Sequence, residues 1–148
     1  MHLAEPLDAE AAEGRYGFRM DNTIGGTPQP NAWSEVGDWV GFFGERRLRH
    51  MCRQARDGEL TKLVDGVVAR LPALMEGAEL RPCVLHGDLW SGNIAGVGGR
   101  PAIFDPATYY GHAEAEFGMS WCAGFGADFY AGYHGVLPKR PGHEERAA

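Results

Sequence analysis

The 148 residues carry a formal net charge of −6, with 44% hydrophobic and 23% charged side chains, a composition that fits one globular domain able to bury a core. The acidic balance excludes a general nucleic-acid binder, which needs a basic surplus against phosphates. No apolar run approaches bilayer-spanning length and the N-terminus lacks a signal-peptide core, so neither a membrane partner nor secretion is expected. Cys52, Cys83 and Cys122 lie far apart, match neither a zinc spacing nor a disulfide framework, and read as buried free thiols. Among the 14 Lys and Arg residues only Lys62 and Lys139 are lysines.

Residues 1–15 are acidic and alanine-rich and read as an N-terminal arm, helical or extended. From Tyr16 to Trp33, Gly17, Gly25, Gly26, Pro28 and Pro30 predict a long ordered loop. Its Asn22, Thr23, Thr27, Gln29 and Asn31 offer amides and hydroxyls suited to a hydroxylated substrate, although composition alone favours side chains that satisfy the loop's own backbone. Ser34 is the expected N-cap of a helix running to about Arg56. Val36, Trp39, Val40, Phe43 and Leu48 form its apolar face, and Arg46, Arg47 and Arg49 read as a solvated one. Leu60, Leu63, Val64, Val67, Val68, Leu71, Leu74 and Met75 recur at i, i+3, i+4 and predict a helix serving as core scaffold.

Beyond Pro82 the apolar run Cys83-Val84-Leu85 turns polar in His86-Gly87-Asp88-Leu89-Trp90-Ser91-Gly92-Asn93. A second run, Ala102-Ile103-Phe104, ends on Asp105, and Val97-Gly98-Gly99 between them is a natural tight turn. The two runs are expected to form one β-hairpin with its polar groups at one end. Phosphoryl transfer needs such groups: one carboxylate to deprotonate a hydroxyl, and an amide oxygen with a second carboxylate to hold Mg²⁺ on phosphates. The protein-kinase pattern His-Arg-Asp, four spacers, Asn, then a metal-binding Asp is matched in order and spacing by His86-Gly87-Asp88, Asn93 and Asp105. A surface hairpin with turn-capping side chains would explain Asp88 and Asn93, but not the added His-Gly and the strand-terminal Asp105. A metal-dependent hydrolase built on His86, Asp88, Asp105 and His112 lacks a zinc spacing such as His-Glu-x-x-His. Pro106 to Gly111 reads as a loop, followed by a helix from about Ala113 with Glu114 and Glu116 in its first turn. Phe117, Met119, Trp121, Phe125, Phe129, Tyr130 and Tyr133 read as a core stripe, and Lys139 to Ala148 as a polar tail.

These motifs resemble the fructosamine/ketosamine 3-kinase family. The resemblance rests on His86 to Asn93, on Ile103-Phe104-Asp105-Pro106-Ala107 and on Tyr110-Gly111-His112-Ala113-Glu114. Asn22 to Gly25, Thr27 to Asn31, Trp33, Asp38-Trp39, Glu45 to Leu48 and the late Phe129-Tyr130, Tyr133 to Gly135 and Pro138 also match, so the likeness spans Tyr16 to Arg146. The His-Gly-Asp core is shared with aminoglycoside and choline kinases; Leu89-Trp90 and the Tyr110 to Glu114 segment narrow it. The resemblance implies an α+β, protein-kinase-like fold and ATP- and Mg²⁺-dependent phosphorylation of the 3-hydroxyl of ketosamines on protein lysines, a deglycation repair step. Carried over, Asp88 is the catalytic base and Asn93 and Asp105 bind Mg²⁺. Trp90 is placed to stack on substrate or to pack. Asn22, Gln29 and His86 join it as substrate-side candidates, His86 more as a brace because Asp88 already fills the base role.

Such a kinase also needs an N-terminal lobe with a phosphate-covering loop and a strand lysine, and neither Lys62 nor Lys139 fits that lysine. Residues 16–148 are therefore expected to be a partial C-terminal lobe, mostly helical around the catalytic hairpin, with the N-terminal lobe absent or supplied by a second chain. A non-catalytic lobe that binds a glycated ligand or a partner is the alternative reading. The expected compartment is the cytoplasm, with a plastid as the alternative because plant-type members are often plastid proteins.

Overall fold

The computed structural model describes residues 1–119 and 121–147. In the arm, a single turn of helix, α1 (Ala9–Ala12), follows a docked N-terminus in which His2 is buried. The predicted loop after Tyr16 contains a small hairpin, β1 (Asn22–Ile24) and β2 (Thr27–Gln29), closed by Gly25-Gly26.

The first long helix starts at Trp39 rather than after Ser34. Asp38 is its cap, accepting the Gly41 N–H at 2.8 Å, while the Ser34 hydroxyl accepts the Tyr16 N–H at 2.9 Å and so pins the loop instead. The helix runs as α2 (Trp39–Phe43), a π-helical stretch Gly44–Arg49 and α3 (His50–Ala55). Within the π stretch, Arg47 leaves the expected solvated face. It is buried, donates to Pro30 O at 2.8 Å and Asn31 Oδ1 at 2.6 Å, and lies 3.9 Å from the Tyr109 ring centroid. Burial pulls its pKa below the ordinary arginine value.

Asp57 caps α4 (Gly58–Leu74) by accepting the Glu59 and Leu60 N–H groups at 2.8 and 3.1 Å. Only its C-terminal end is scaffold. Leu71 and the following Met75 are buried, whereas Leu63 is 70% exposed and Leu60 and Val67 are also exposed. The helix meets its neighbour where Gly44 lets Val68 and Leu71 approach, and its N-terminal turns are tied to α3 and the stretch before it by Cys52 to Thr61 at 3.3 Å and Arg49 to Asp65 at 2.9 Å.

The hairpin prediction is corrected in its partners. Cys83-Val84-Leu85 is β3 (Cys83–Leu85), but it pairs antiparallel with β6 (Tyr109–Gly111), a segment read as loop. The hairpin proper is β4 (Ile94–Val97) with β5 (Arg100–Ile103), joined by Gly98 and Gly99 at φ +57 and +76, a two-residue turn of the primed kind. Burial decides the pairing. Every residue of β6 is buried and so are Cys83 and Leu85, so these runs find each other in the core, while β4 and β5 are mostly exposed. Gly111 is required there, since a Cβ would come within 2.6 Å of Leu85. Around this ladder Tyr16, Trp39, Phe42, Met75, Cys83, Leu85 and Tyr109 form the core; burying each large apolar side chain is worth about 1.5–3 kcal/mol.

After β6 the chain forms a 3₁₀ helix (Ala113–Met119), then α5 (Ala127–Val136) and α6 (His143–Ala147). Glu116 does not point to solvent at a helix start but is buried. The aromatic stripe is a half-buried cluster rather than core: Phe125 stacks on Phe129 at 4.0 Å and Phe117 meets Tyr133 edge-on at 4.8 Å, but α5 buries none of its residues fully and Trp121 is 84% exposed. Residues 139–147 are docked, with His143 Nδ1 at 2.8 Å and Arg146 Nε at 2.5 Å from the Glu114 carboxylate. Cys52 and Cys83 are buried free thiols as expected, and Cys122 is half-buried. Burial pushes the Cys83 thiol up to about 12. Among the described residues no helix is long and apolar enough to cross a membrane.

Burial alone would raise the Glu114 pKa, but hydrogen bonds from Arg146 and His143 outweigh it and hold the group below its usual range. A carboxylate depressed in the folded state lends stability above its unfolded pKa and loses it as pH falls through the folded value. Urea unfolding between about pH 5 and pH 3 should therefore show a smaller loss of stability for Glu114→Gln than for the parent chain. Arg47→Ala should cost about 3 kcal/mol by the same measurement, because buried acceptors lose a charged donor. Arg47→Lys should recover only part of it, lacking the planar stack on Tyr109.

Candidate active site

The site begins where β3 ends. At Gly87 the backbone has φ +82, and a Cβ would collide with the Ala107 carbonyl, so only glycine lets the two segments touch here. Two consecutive N–H groups are left without sheet partners at this turn. Glu116 takes both: Oε2 accepts the His86 N–H at 2.7 Å and Oε1 the Gly87 N–H at 2.9 Å. The imidazole of His86, 2% exposed, donates from Nε2 to Phe104 O at 2.9 Å and accepts the Asp88 N–H on Nδ1 at 3.3 Å. Those two bonds fix its tautomer.

Asp88 follows, half-buried, and the 3₁₀ turn Ser91–Asn93 brings Asn93 back to it. The Asn93 amide nitrogen donates to Asp88 O at 2.9 Å, to Asp88 Oδ2 at 3.1 Å and to Asp105 O at 3.4 Å. Three acceptors around one end determine the amide's orientation and leave Oδ1 as its open donor atom for a cation. Asp105 is exposed and sits at φ +55. That left-handed backbone costs a non-glycine residue about 1–3 kcal/mol and is typical of functional positions. The Phe104 N–H to Asn93 O bond at 3.1 Å closes the base of the β4–β5 hairpin between the two residues.

Asp88, Asn93 and Asp105 are thus brought together by three elements. Of the four substrate-side candidates, Trp90 is the exposed one, at 38%, its ring folded over Gly92 where a Cβ would strike it. Asn22, Gln29 and His86 turn inward. Asn22 donates to Thr108 O at 2.8 Å; Gln29, 3% exposed, donates to Ala107 O at 3.1 Å and to Asn22 Oδ1 at 2.9 Å. Their amides anchor the loop that carries Asp105, and both His86 nitrogens serve the backbone. Sequence reasoning missed Glu116, because nothing in the spacing of Glu114 and Glu116 says which one faces inward.

The available donors at Asn93 and Asp105 are hard oxygens. They fit Mg²⁺, which keeps several waters and is shared with substrate phosphates rather than caged by protein. They do not fit the hydrolase alternative. His86 has no free nitrogen, and among the described residues no three His, Cys, Asp or Glu side chains gather to hold a metal. A cavity of about 580 Å³ beside α4 and α6 is lined by none of these candidate residues.

The fructosamine kinase family model matches residues 1–148. The protein-ribulosamine 3-kinase, chloroplastic, of Arabidopsis thaliana is 50% identical over 97% of this chain and 45% of its own length. The ketosamine-3-kinase of Mus musculus is 37% identical over 89% of this chain and 44% of its own. Among solved structures, a protein of Thermobifida fusca YX-ER1 provisionally named a fructosamine-3-kinase superposes with a TM-score of 0.76 at 29% identity, covering 93% of this chain and 51% of that one. The chain spans a little under half the length of these curated relatives. Its site motifs, its fold and the match along its full length together make it a member of the fructosamine kinase family.

Proposed function

We propose that this chain carries the catalytic-base and Mg²⁺-binding half of an ATP-dependent kinase acting on the 3-hydroxyl of ketosamines, free or on protein lysines. The observation that carries the reading is the Asn93 amide, held between the Asp88 carboxylate and the Asp105 main chain with Oδ1 left open. Asp88 would orient the sugar hydroxyl and accept its proton. Asn93 Oδ1 and the Asp105 carboxylate would hold Mg²⁺, which when bound supplies charge neutralisation on the transferring phosphoryl group. Trp90, exposed beside the base, would stack on the sugar ring or its carrier. The names of the relatives, which specify ribulosamine and ketosamine, support the substrate class.

The nucleotide contacts would have to come from outside the described residues, from further sequence or from a second chain. Lys62 is exposed on α4, and Lys139 pairs with Glu144 at 2.6 Å, so neither is the strand lysine that such kinases use on the phosphates. The proposed setting is the cytoplasm. The chloroplastic names of the plant relatives make the plastid its alternative.

The test is Mg²⁺-dependent transfer of labelled phosphate from ATP to a small fructosamine, comparing the parent chain with Asp88→Asn. Loss of a positioned general base should lower kcat by about 10²–10⁴-fold, and Asn93→Ala should raise the Mg²⁺ concentration needed for half-maximal rate. Turnover unchanged by Asp88→Asn would overturn the assignment. No turnover in a folded parent chain would favour the non-catalytic binding lobe.

A further inference from the structure

Glu116 has a third partner besides the two backbone N–H groups. His2 Nε2 lies 3.1 Å from Glu116 Oε2, and the two side chains are 6% and 1% exposed. A carboxylate this deeply buried is costly unless several donors meet it, and the two N–H groups alone leave one lone-pair direction of Oε2 empty. The imidazole fills it. On its other side, His2 Nδ1 is 2.7 Å from the Tyr133 hydroxyl. Burial raises the pKa of that phenol, so it stays protonated and meets Nδ1, while Nε2 faces Glu116 Oε2, an acceptor, and donates to it. The His2 main chain is tied as well, its carbonyl accepting from Arg81 at 3.4 Å.

We propose that His2, in the N-terminal arm, is a positioning residue for the Asp88 loop and acts through Glu116. The path is short and continuous: Tyr133 on α5, His2 on the arm, Glu116 on the 3₁₀ helix, then the main chain of His86 and Gly87, next to Asp88. Without His2 the carboxylate loses a donor, and it can rotate away from one N–H toward whatever replaces the imidazole. The loop would loosen at Gly87, the residue that already depends on close contact with Ala107. The arm is then part of the site's support.

Amide hydrogen exchange on this chain tests the idea without any assumption about activity. His2→Ala should speed exchange at His86 and Gly87 by about tenfold relative to the β6 amides, which report on the core. His2→Gln, whose amide nitrogen can stand where Nε2 does, should restore most of the protection. Adding His2→Ala to Glu116→Gln should change the two amides little further, because the two residues act in series. Acceleration spread evenly over β6 and the loop would mean the arm only adds global stability, and unchanged exchange at His86 and Gly87 would likewise overturn the proposal. A second arm rests on the kinase reading: in the phosphate-transfer assay His2→Ala should lower kcat with KM held, with rescue by His2→Gln. If the kinase reading fails, only this second arm is lost, so the two failures are distinguishable.

Discussion

The carboxylate of Glu116 is the contact on which the site's shape depends. At the end of β3 the chain must turn out of the sheet, and the N–H groups of His86 and Gly87 would face the core unpaired. Hydrogen bonds to a charged acceptor are worth about 1.5–3 kcal/mol each, and an orphaned buried N–H costs a similar amount. One side chain therefore decides whether the turn toward Asp88 is held or frayed. The requirement for glycine at position 87 follows from the same geometry: the turn presses on the Ala107 carbonyl, the loop that leads away from Asp105.

That second loop has a support of its own, built from neutral amides and one guanidinium. Gln29 and Asn22 hold the carbonyls of Ala107 and Thr108, Asn31 donates to Asn22 Oδ1, and Arg47 donates to Asn31 while lying on the Tyr109 ring. The network runs from the π-helical stretch through the small β1–β2 hairpin to the residues just after Asp105. A polar network of this kind specifies one arrangement to the extent that its members are satisfied, and here the amides are paired while Arg47 Nε is buried without a partner. Here it sets where β6 and the Asp105 loop lie, while Glu116 sets where β3 delivers Asp88. The two supports meet at Asn93, whose amide spans both sides.

The legible parts of the sequence were those governed by local chemistry. The 86–93 motif and Asp105 could be picked out because residue type and spacing recur together there, and α4 as a helix, though not its buried extent, because its apolar period is regular. Strand pairing was misread because Cys83-Val84-Leu85 and Ala102-Ile103-Phe104 look alike as short apolar runs, and only burial in the folded chain separates a core strand from an exposed one. Helix faces failed for a related reason. Arg47 looked like its neighbours Arg46 and Arg49, but a π stretch and an acceptor pair from a distant loop drew it inward. Asn22 and Gln29 carry side chains equally suited to a sugar or to a carbonyl, and their partners at 107–108 are far away in sequence. The polar inward residues are thus the hardest to foresee, since their partners are set by topology.

The two site carboxylates are held very differently, and that difference bears on how such a site works. Asp88 is half-buried, with its backbone tied to His86 and its carboxylate touched by Asn93. Asp105 is exposed, with a strained left-handed backbone and with its carbonyl, rather than its carboxylate, engaged by Asn93. A base has to be in place before the hydroxyl arrives, because a misplacement of about 1 Å can cost 10²-fold in rate. A Mg²⁺ ligand has the opposite need, since this ion comes with phosphate and water ligands already on it and demands near-octahedral geometry. Under the proposed function, a fixed Asp88 beside an open Asp105 would meet both needs. The strain at Asp105 is tolerated because its carbonyl and the following loop are anchored by Asn93, Asn22 and Gln29, so the cost falls on a segment that the rest of the fold already holds.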